Sequence, residues 1–146
     1  MAVKYRYNLT RKIVDQIIQW LIIWDLAPEH YYLLTVQGRK TGRKRTHPVA
    51  LVENGTQKWL VAPYGSVNWV LNARAAGQVT IRRGKSIENY SIEDVPLDER
   101  APILKQYITL FAITRPYFDV KPSDPVEKFV PEAQWRPVFT LIGVSS

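Results

Sequence analysis

The chain contains no cysteine. Disulfides, thiol catalysis and cysteine–zinc sites are therefore excluded, and the redox compartment is left open. Histidine is scarce: only His30 and His47 occur, in different segments. That argues against a histidine-rich metal centre. No apolar run approaches the roughly 20 residues that span a bilayer. The stretch 17–26 is interrupted by Gln19 and Asp25. No small-residue cleavage site follows it, so signal-peptide architecture is missing and a cytoplasmic location is expected. Internal repeats and low-complexity tracts are absent. No serine, histidine and carboxylate share a distinctive spacing, and Ser66 lacks a nucleophile-elbow context. The segment 38–42 lacks the spacing and the Lys-Ser ending of a nucleotide phosphate loop. The adjacent acids Glu93-Asp94 and Asp98-Glu99 stand where turns and helix starts favour them, and they read as structural.

What is present is an ordinary apolar fraction on 146 residues, enough for one domain, 1–146, with a sizeable core. The formal charge is +7, which favours polyanions: nucleic acid, anionic lipid or a multiply charged cofactor. Five of the cations fall in Gly38-Arg39-Lys40-Thr41-Gly42-Arg43-Lys44-Arg45-Thr46-His47-Pro48. Apolar, β-branched runs at 31–36 and 48–52 flank it, so it reads as strand, basic turn, strand. Positive φ at Gly38 and Gly42 would turn backbone amides toward one point, as in an anion-binding nest. The same pattern is that of a solvated hairpin tip. The cations centre on one turn instead of tracking a stripe with interleaved aromatics, which argues against nucleic acid.

Asn8 or Thr10 can cap a first helix running to about Leu26, before Pro28. Ile13, Ile17, Trp20, Leu21 and Trp24 follow one helical stripe, widened by Ile18, Ile22 and Ile23. Lys4, Arg6, Arg11 and Lys12 precede or open it. Packing across a barrel is the expected use of this segment, 1–28, with contact to a membrane surface as the alternative. Glu53-Asn54-Gly55 is a hairpin turn leading to a third strand at 56–62. Ser66 can cap a helix over 67–76 that Gly77 stops. The alternating run 78–83 is a half-buried strand, and the irregular spacing of Ile87, Tyr90 and Ile92 predicts a bulged strand. Pro96 opens a long helix buried through Ile103, Leu104, Tyr107, Ile108 and Phe111 and ending near Thr114. Residues 115–137 form a lid-like loop with one helical turn at 126–129. A final strand covers 138–144. Six antiparallel strands with helices between them give an α+β, mainly β class: a closed or split six-stranded barrel with flanking helices.

The loop and helix start Ala62-Pro63-Tyr64-Gly65-Ser66-Val67-Asn68-Trp69 form a second constellation. Helix N-terminal amides there can bond a carbonyl or anion, with Asn68 and Trp69 in reach, although a capped helix with Trp69 in the core is the plainer reading.

Together, Leu33-Leu34-Thr35-Val36-Gln37 with the basic turn, Val61-Ala62-Pro63-Tyr64-Gly65, and Trp69-Val70-Leu71-Asn72-Ala73-Arg74-Ala75-Ala76 resemble the deazaflavin-dependent nitroreductase family. These are split β-barrel proteins related to the flavin mononucleotide (FMN)-binding oxidoreductases. The resemblance runs over 31–83, and agreement in the last strand is weaker. Its motifs are the Gly-Arg-Lys-Thr/Ser-Gly-x-x-Arg turn and the Trp-x-x-Asn helix start. It implies reduced coenzyme F420 giving hydride to a small organic acceptor. Arg39, Lys40, Thr41, Arg45, Thr46 and His47 would hold the phosphate and acidic tail. Ala62, Pro63, Tyr64 and Gly65 would contact the ring through backbone. Asn68, Trp69, Val70, Leu71 and Asn72 would line the remaining edge, with Tyr117 near the acceptor. The loop between Tyr64 and Trp69 is shorter than in better-known members, and 117–135 differs; both bear on the acceptor. Hydride chemistry resides in such a cofactor, so no protein nucleophile is required. Related barrels pair to complete their sites, which implies a homodimer. FMN as cofactor, or a non-enzymatic module binding cofactor, lipid or nucleic acid, are the alternatives.

Overall fold

The computed structural model describes residues 9–23, 26 and 29–144. Lys4, Arg6, the expected cap Asn8, and Trp24, Asp25 and Pro28 lie outside the described residues. Helix α1 (Leu9–Ile23) precedes strands β1 (Tyr31–Gln37), β2 (Lys44–Asn54) and β3 (Gln57–Val61). Helix α2 (Asn68–Ala76) leads to β4 (Gln78–Arg83) and β5 (Ser86–Asp94). Helix α3 (Leu97–Leu110), 3₁₀ turns at Ala112–Tyr117 and Val126–Phe129, a short α4 (Val130–Ala133) and β6 (Val138–Gly143) follow. The strands close a barrel in the order β1-β2-β3-β6-β5-β4, every neighbouring pair antiparallel. The six-stranded antiparallel barrel with flanking helices is thus the architecture expected from the strand pattern.

Alternation along the strands sorts the apolar residues into two layers. Leu34, Val36, Leu51, Leu60, Ile81 and Phe139 fill the barrel, and Val70 and Ala73 of α2 pack with them. On the outer face, Ala50, Val52, Val61 and Val138 pack against Leu104, Tyr107, Ile108 and Phe111 of α3. The buried face read for this helix holds. Gly77 ends α2 with φ 76°, its amide bonded to the carbonyl of Ala73, as the stop signal implied. At one edge of the β1–β2 pair the Glu53 carboxylate accepts from His30 Nδ1 (2.9 Å), the Tyr32 hydroxyl (2.9 Å) and Lys58 Nζ (2.7 Å). Burial alone would raise its pKa, and these donors turn the shift downward.

Several expectations are corrected. Strand β2 begins at Lys44, not near Pro48, so Arg45 opposes Val36 and His47 opposes Leu34 on a ladder. Charged side chains do not interrupt a strand whose backbone is paired and whose heads reach water. The register of β4 with β5 is continuous from Gln78↔Ser91 to Arg83↔Ser86, so there is no bulge. The spacing is irregular because Ile87 lies on the outer face, 60% exposed. Ser66 does not cap α2: Val67 takes the cap position without a side-chain bond. Helix α3 stops at Leu110, and Pro116 sits within the 3₁₀ turn that follows.

The largest correction concerns α1. Its stripe Ile13, Ile17 and Trp20 faces outward, 49%, 55% and 60% exposed. Ile18, Leu21 and buried Ile22 instead meet Leu33 and Tyr31 of β1. Among the described residues no helix is long and apolar enough to cross a membrane.

Candidate functional site

The basic turn is tighter than its composition implied. Gly42 takes φ 75°, and Gly38 is needed for space: a Cβ there would meet Arg43 O at 3.1 Å and Thr41 Oγ1 at 3.2 Å. The amide of Gly38 donates to Arg43 O (2.8 Å), that of Gly42 to Gly38 O (2.9 Å) and that of Arg43 to Thr41 Oγ1 (3.2 Å). These amides close the turn on itself, so they do not converge on an external anion, and the nest expectation fails. Arg39 is an anchor: its amide (3.1 Å) and its guanidinium (2.7 Å) both donate to Oδ1 of buried Asn72, tying the turn to α2. Lys40, Arg43, Lys44 and Arg45 remain exposed and make no ion pair among the described residues. Strand alternation puts Arg45 and His47 on one face of β2, and Lys44 and Thr46 on the other. Thr46 bonds Thr35 hydroxyl to hydroxyl (2.7 Å) on that second face.

His47 stands in a setting different from the one expected. It lines a cleft of ≈ 220 Å³ at the barrel rim, together with Pro63, Tyr64, Val67 and Trp69. Arg11, Asp15 and Ile18 of α1 line it from one side, and Tyr107, Phe111, Ile113 and Thr114 from another. The imidazole lies 5.8 Å from the Trp69 ring, and burial pushes its pKa down to about 4. It is neutral at pH 7 and cannot serve as one of the tail-binding cations. Its Nε2 is buried without a hydrogen-bond partner among the described residues. From α1, the Asp15 carboxylate faces Arg11 Nε at 3.4 Å. Burial raises the Asp15 pKa, with Arg11 opposing.

The cleft wall at 62–65 is held from behind. Gly65 has φ 87°, and a Cβ there would lie 3.3 Å from the Trp135 ring, so both conformation and space require glycine. Arg136 is 1% exposed. Its guanidinium donates to the carbonyl of Pro63, to that of Tyr117 (2.6 Å) and to Glu132 Oε2 (2.8 Å). It stacks on Phe118 (3.7 Å) and Trp135 (3.9 Å). Glu132 Oε1 accepts the Asp119 amide (2.8 Å), so the acid is satisfied as well. One buried fork therefore joins the cleft loop, the segment 117–119 and the entry to β6.

Of the residues singled out in the sequence, His47, Pro63, Tyr64 and Trp69 meet in the cleft. Tyr117 adjoins it edge-on to Tyr64 at 5.1 Å. Ala62 and Val70 are fully buried in the barrel core. Asn68 and Leu71 are exposed on α2. Arg11, Asp15 and Tyr107 as cleft residues, and Arg136 as the fork behind the cleft wall, escaped the sequence reading. A signal for the first two existed: an i,i+4 ion pair on an otherwise isoleucine-rich helix.

The sequence profile of the F420H(2)-dependent quinone reductase family matches residues 22–120. Among solved structures, one described as a domain-swapped dimer superposes with TM-score 0.56 at 21% identity, covering 90% of this chain and 92% of that one. An F420-H2 dependent reductase (FDR-A) gives 0.53 at 21% identity, covering 77% and 94%. A putative pyridoxamine 5'-phosphate oxidase from Listeria innocua gives 0.52 at 14% identity, covering 94% and 95%. These superpositions carry the split-barrel fold, and the profile, spanning most of the chain and both signature segments, carries the family. The chain belongs to the F420H(2)-dependent quinone reductase family.

Proposed function

We propose that the rim cleft holds the ring of the reduced deazaflavin coenzyme and that the protein passes hydride from it to an acceptor of the quinone class. The observation that carries this is His47 Nε2, buried and unpartnered beside Trp69 in a cleft walled by proline and aromatic side chains. A flat ring with polar edge atoms fits such a slot and satisfies the orphaned nitrogen. When bound, the coenzyme supplies the hydride. The chain's own residues bind, orient and exclude water. Backbone of 62–65 borders the ring, and Trp69 and Asn68 bound its edge. Ala62 and Val70 act from the core behind them. Lys40 and Arg45, exposed and without an ion pair among the described residues, take the phosphate and acidic tail. Arg39, Thr41 and Asn72 hold the turn that presents them.

Titration of the purified protein with the coenzyme, followed by ring fluorescence, tests this reading. Saturable binding is expected. Lys40→Ala with Arg45→Ala should raise Kd by about tenfold or more, as loss of charge-assisted bonds does, with little change in rate at saturation. No saturable binding, or equal binding after both substitutions, would sink it. Protein that purifies yellow with bound FMN would move the assignment to the flavin alternative.

We also infer a homodimer that uses the outward stripe of α1. Leu9, Ile13 and Ile17 expose apolar surface in one line, which a second copy would cover. Light scattering after gel filtration should give twice the chain mass, and Ile13→Glu with Ile17→Glu should return the monomer. Monomeric wild-type protein that sediments with anionic vesicles would assign the stripe to a membrane surface instead.

A further inference from the structure

We propose that Asp15, on the inner face of α1, is the catalytic residue that delivers the proton completing reduction of the acceptor; this rests on the quinone-reducing reading above. Its side chain is 13% exposed, lines the cleft, and has a buried Oδ1 that makes no hydrogen bond among the described residues and faces Arg11 Nε at 3.4 Å. A quinone carries two carbonyl oxygens on opposite edges of a flat apolar ring. The cleft lining carries two polar atoms from different elements with no hydrogen-bond partner among the described residues, His47 Nε2 and Asp15 Oδ1, the second held 3.4 Å from Arg11 Nε as an ion pair.

Reduction needs a proton as well as a hydride. The acceptor takes two electrons and one hydrogen as hydride, and the second oxygen must gain H⁺. In the proposed step the O–H bond of protonated Asp15 breaks and an O–H bond forms on that oxygen. The carboxylate is reprotonated from solvent, which also receives the proton that the oxidised coenzyme releases. The sum is reduced coenzyme plus quinone giving oxidised coenzyme plus quinol.

The other ionisable groups facing the cleft are Arg11 on α1, Tyr31 on β1, His47 on β2, Tyr64 in the loop and Tyr107 on α3. Arginine keeps its proton at any working pH. His47 is already neutral. Tyr31 and Tyr107 are pushed further from ionisation by burial. Tyr64 is the remaining competitor and supplies the control. Burial moves the Asp15 carboxyl toward a protonated state that a solvated aspartate loses, and Arg11 sets how far.

The test uses the full chain with the coenzyme and a water-soluble benzoquinone. Asp15→Asn should bind coenzyme as wild type does, by fluorescence titration, and keep its Tm. It should lose a factor on the order of 10² to 10⁴ in quinone reduction and lose the basic limb of the pH–rate profile. Arg11→Gln should move that limb to higher pH. In the apo protein, carboxyl-carbon NMR should show Asp15 titrating above an ordinary aspartate, and higher still in Arg11→Gln. Asp15→Asn that reduces the quinone at wild-type rate while Tyr64→Phe does not would overturn the proposal and leave the reading of the site standing. Wild-type protein that fails to bind the coenzyme would overturn both.

Discussion

At the scale of single residues the face of a strand decides chemistry. His47 follows five cations in the eight residues 39–46 and reads as one of their company, yet of that basic group it alone lines the rim cleft. Because the fold holds His47 neutral, its pKa falls from an ordinary 6.5 to about 4. Between those values the unfolded chain binds a proton that the folded chain does not. Stability at pH 7 should therefore be lost as pH drops from about 6.5 toward 4, by up to about 3 kcal/mol from this residue. Urea denaturation from pH 7 to 4.5 should show a smaller loss in His47→Asn than in wild type. Equal slopes would contradict burial of the neutral imidazole. Gly65 makes a second residue-scale case. Gly65→Ala should lower Tm, because φ 87° and the Trp135 ring oppose any Cβ. It should also weaken coenzyme binding by shifting the loop.

At the scale of elements, periodicity finds a helix more readily than its orientation. Helix α1 is apolar around most of its circumference, so its spacing alone leaves open which side meets the barrel. The decision falls to Ile22 and Leu33, which meet in a buried contact, and to Arg11 and Asp15, which reach the cleft. The segment 115–137 reads as a loop because it is rich in proline and acid, and within it the structure places the 3₁₀ turn Val126–Phe129 and the short α4. Arg136 is its organiser. Removing one partner of a buried ion pair leaves the other charge without compensation. Arg136→Met should cost about 3–5 kcal/mol by chemical denaturation, and adding Glu132→Gln should recover part of it. A loss below about 1 kcal/mol would show that the fork does not hold these segments together. Asn72→Ala tests the other coupling: freeing Arg39 should loosen the basic turn and raise the coenzyme Kd with little effect on Tm.

At the scale of the whole molecule, the barrel interior is where the fold gathers its stability. Phe139 is fully buried, meets Trp69 edge-on at 6.3 Å and lies under Arg74. Phe139→Ala should cost about 3–5 kcal/mol and weaken coenzyme binding too, since the cleft's tryptophan rests on that ring. The net charge of +7 acts at the same scale. Coenzyme affinity should fall as salt rises, and fall less steeply in Lys40→Ala with Arg45→Ala. Identical salt slopes would mean that the surplus charge acts diffusely and not at the basic turn.

The sequence by itself determined the six strands, the α2 stop at Gly77, the buried face of α3 and the family signature in the turn and helix start. Each rests on local information: alternation, helical spacing, positive-φ glycine and short motifs. Tertiary structure alone decided that the turn's amides close on themselves, that Arg39 binds Asn72, that His47 is neutral, and that α1 turns Asp15 inward and Ile13 outward. Those outcomes depend on groups far apart in the chain. Arg39 and Asn72 are 33 residues apart and Arg136 and Pro63 are 73, and burial of an ionisable group exists only once the elements around it have packed.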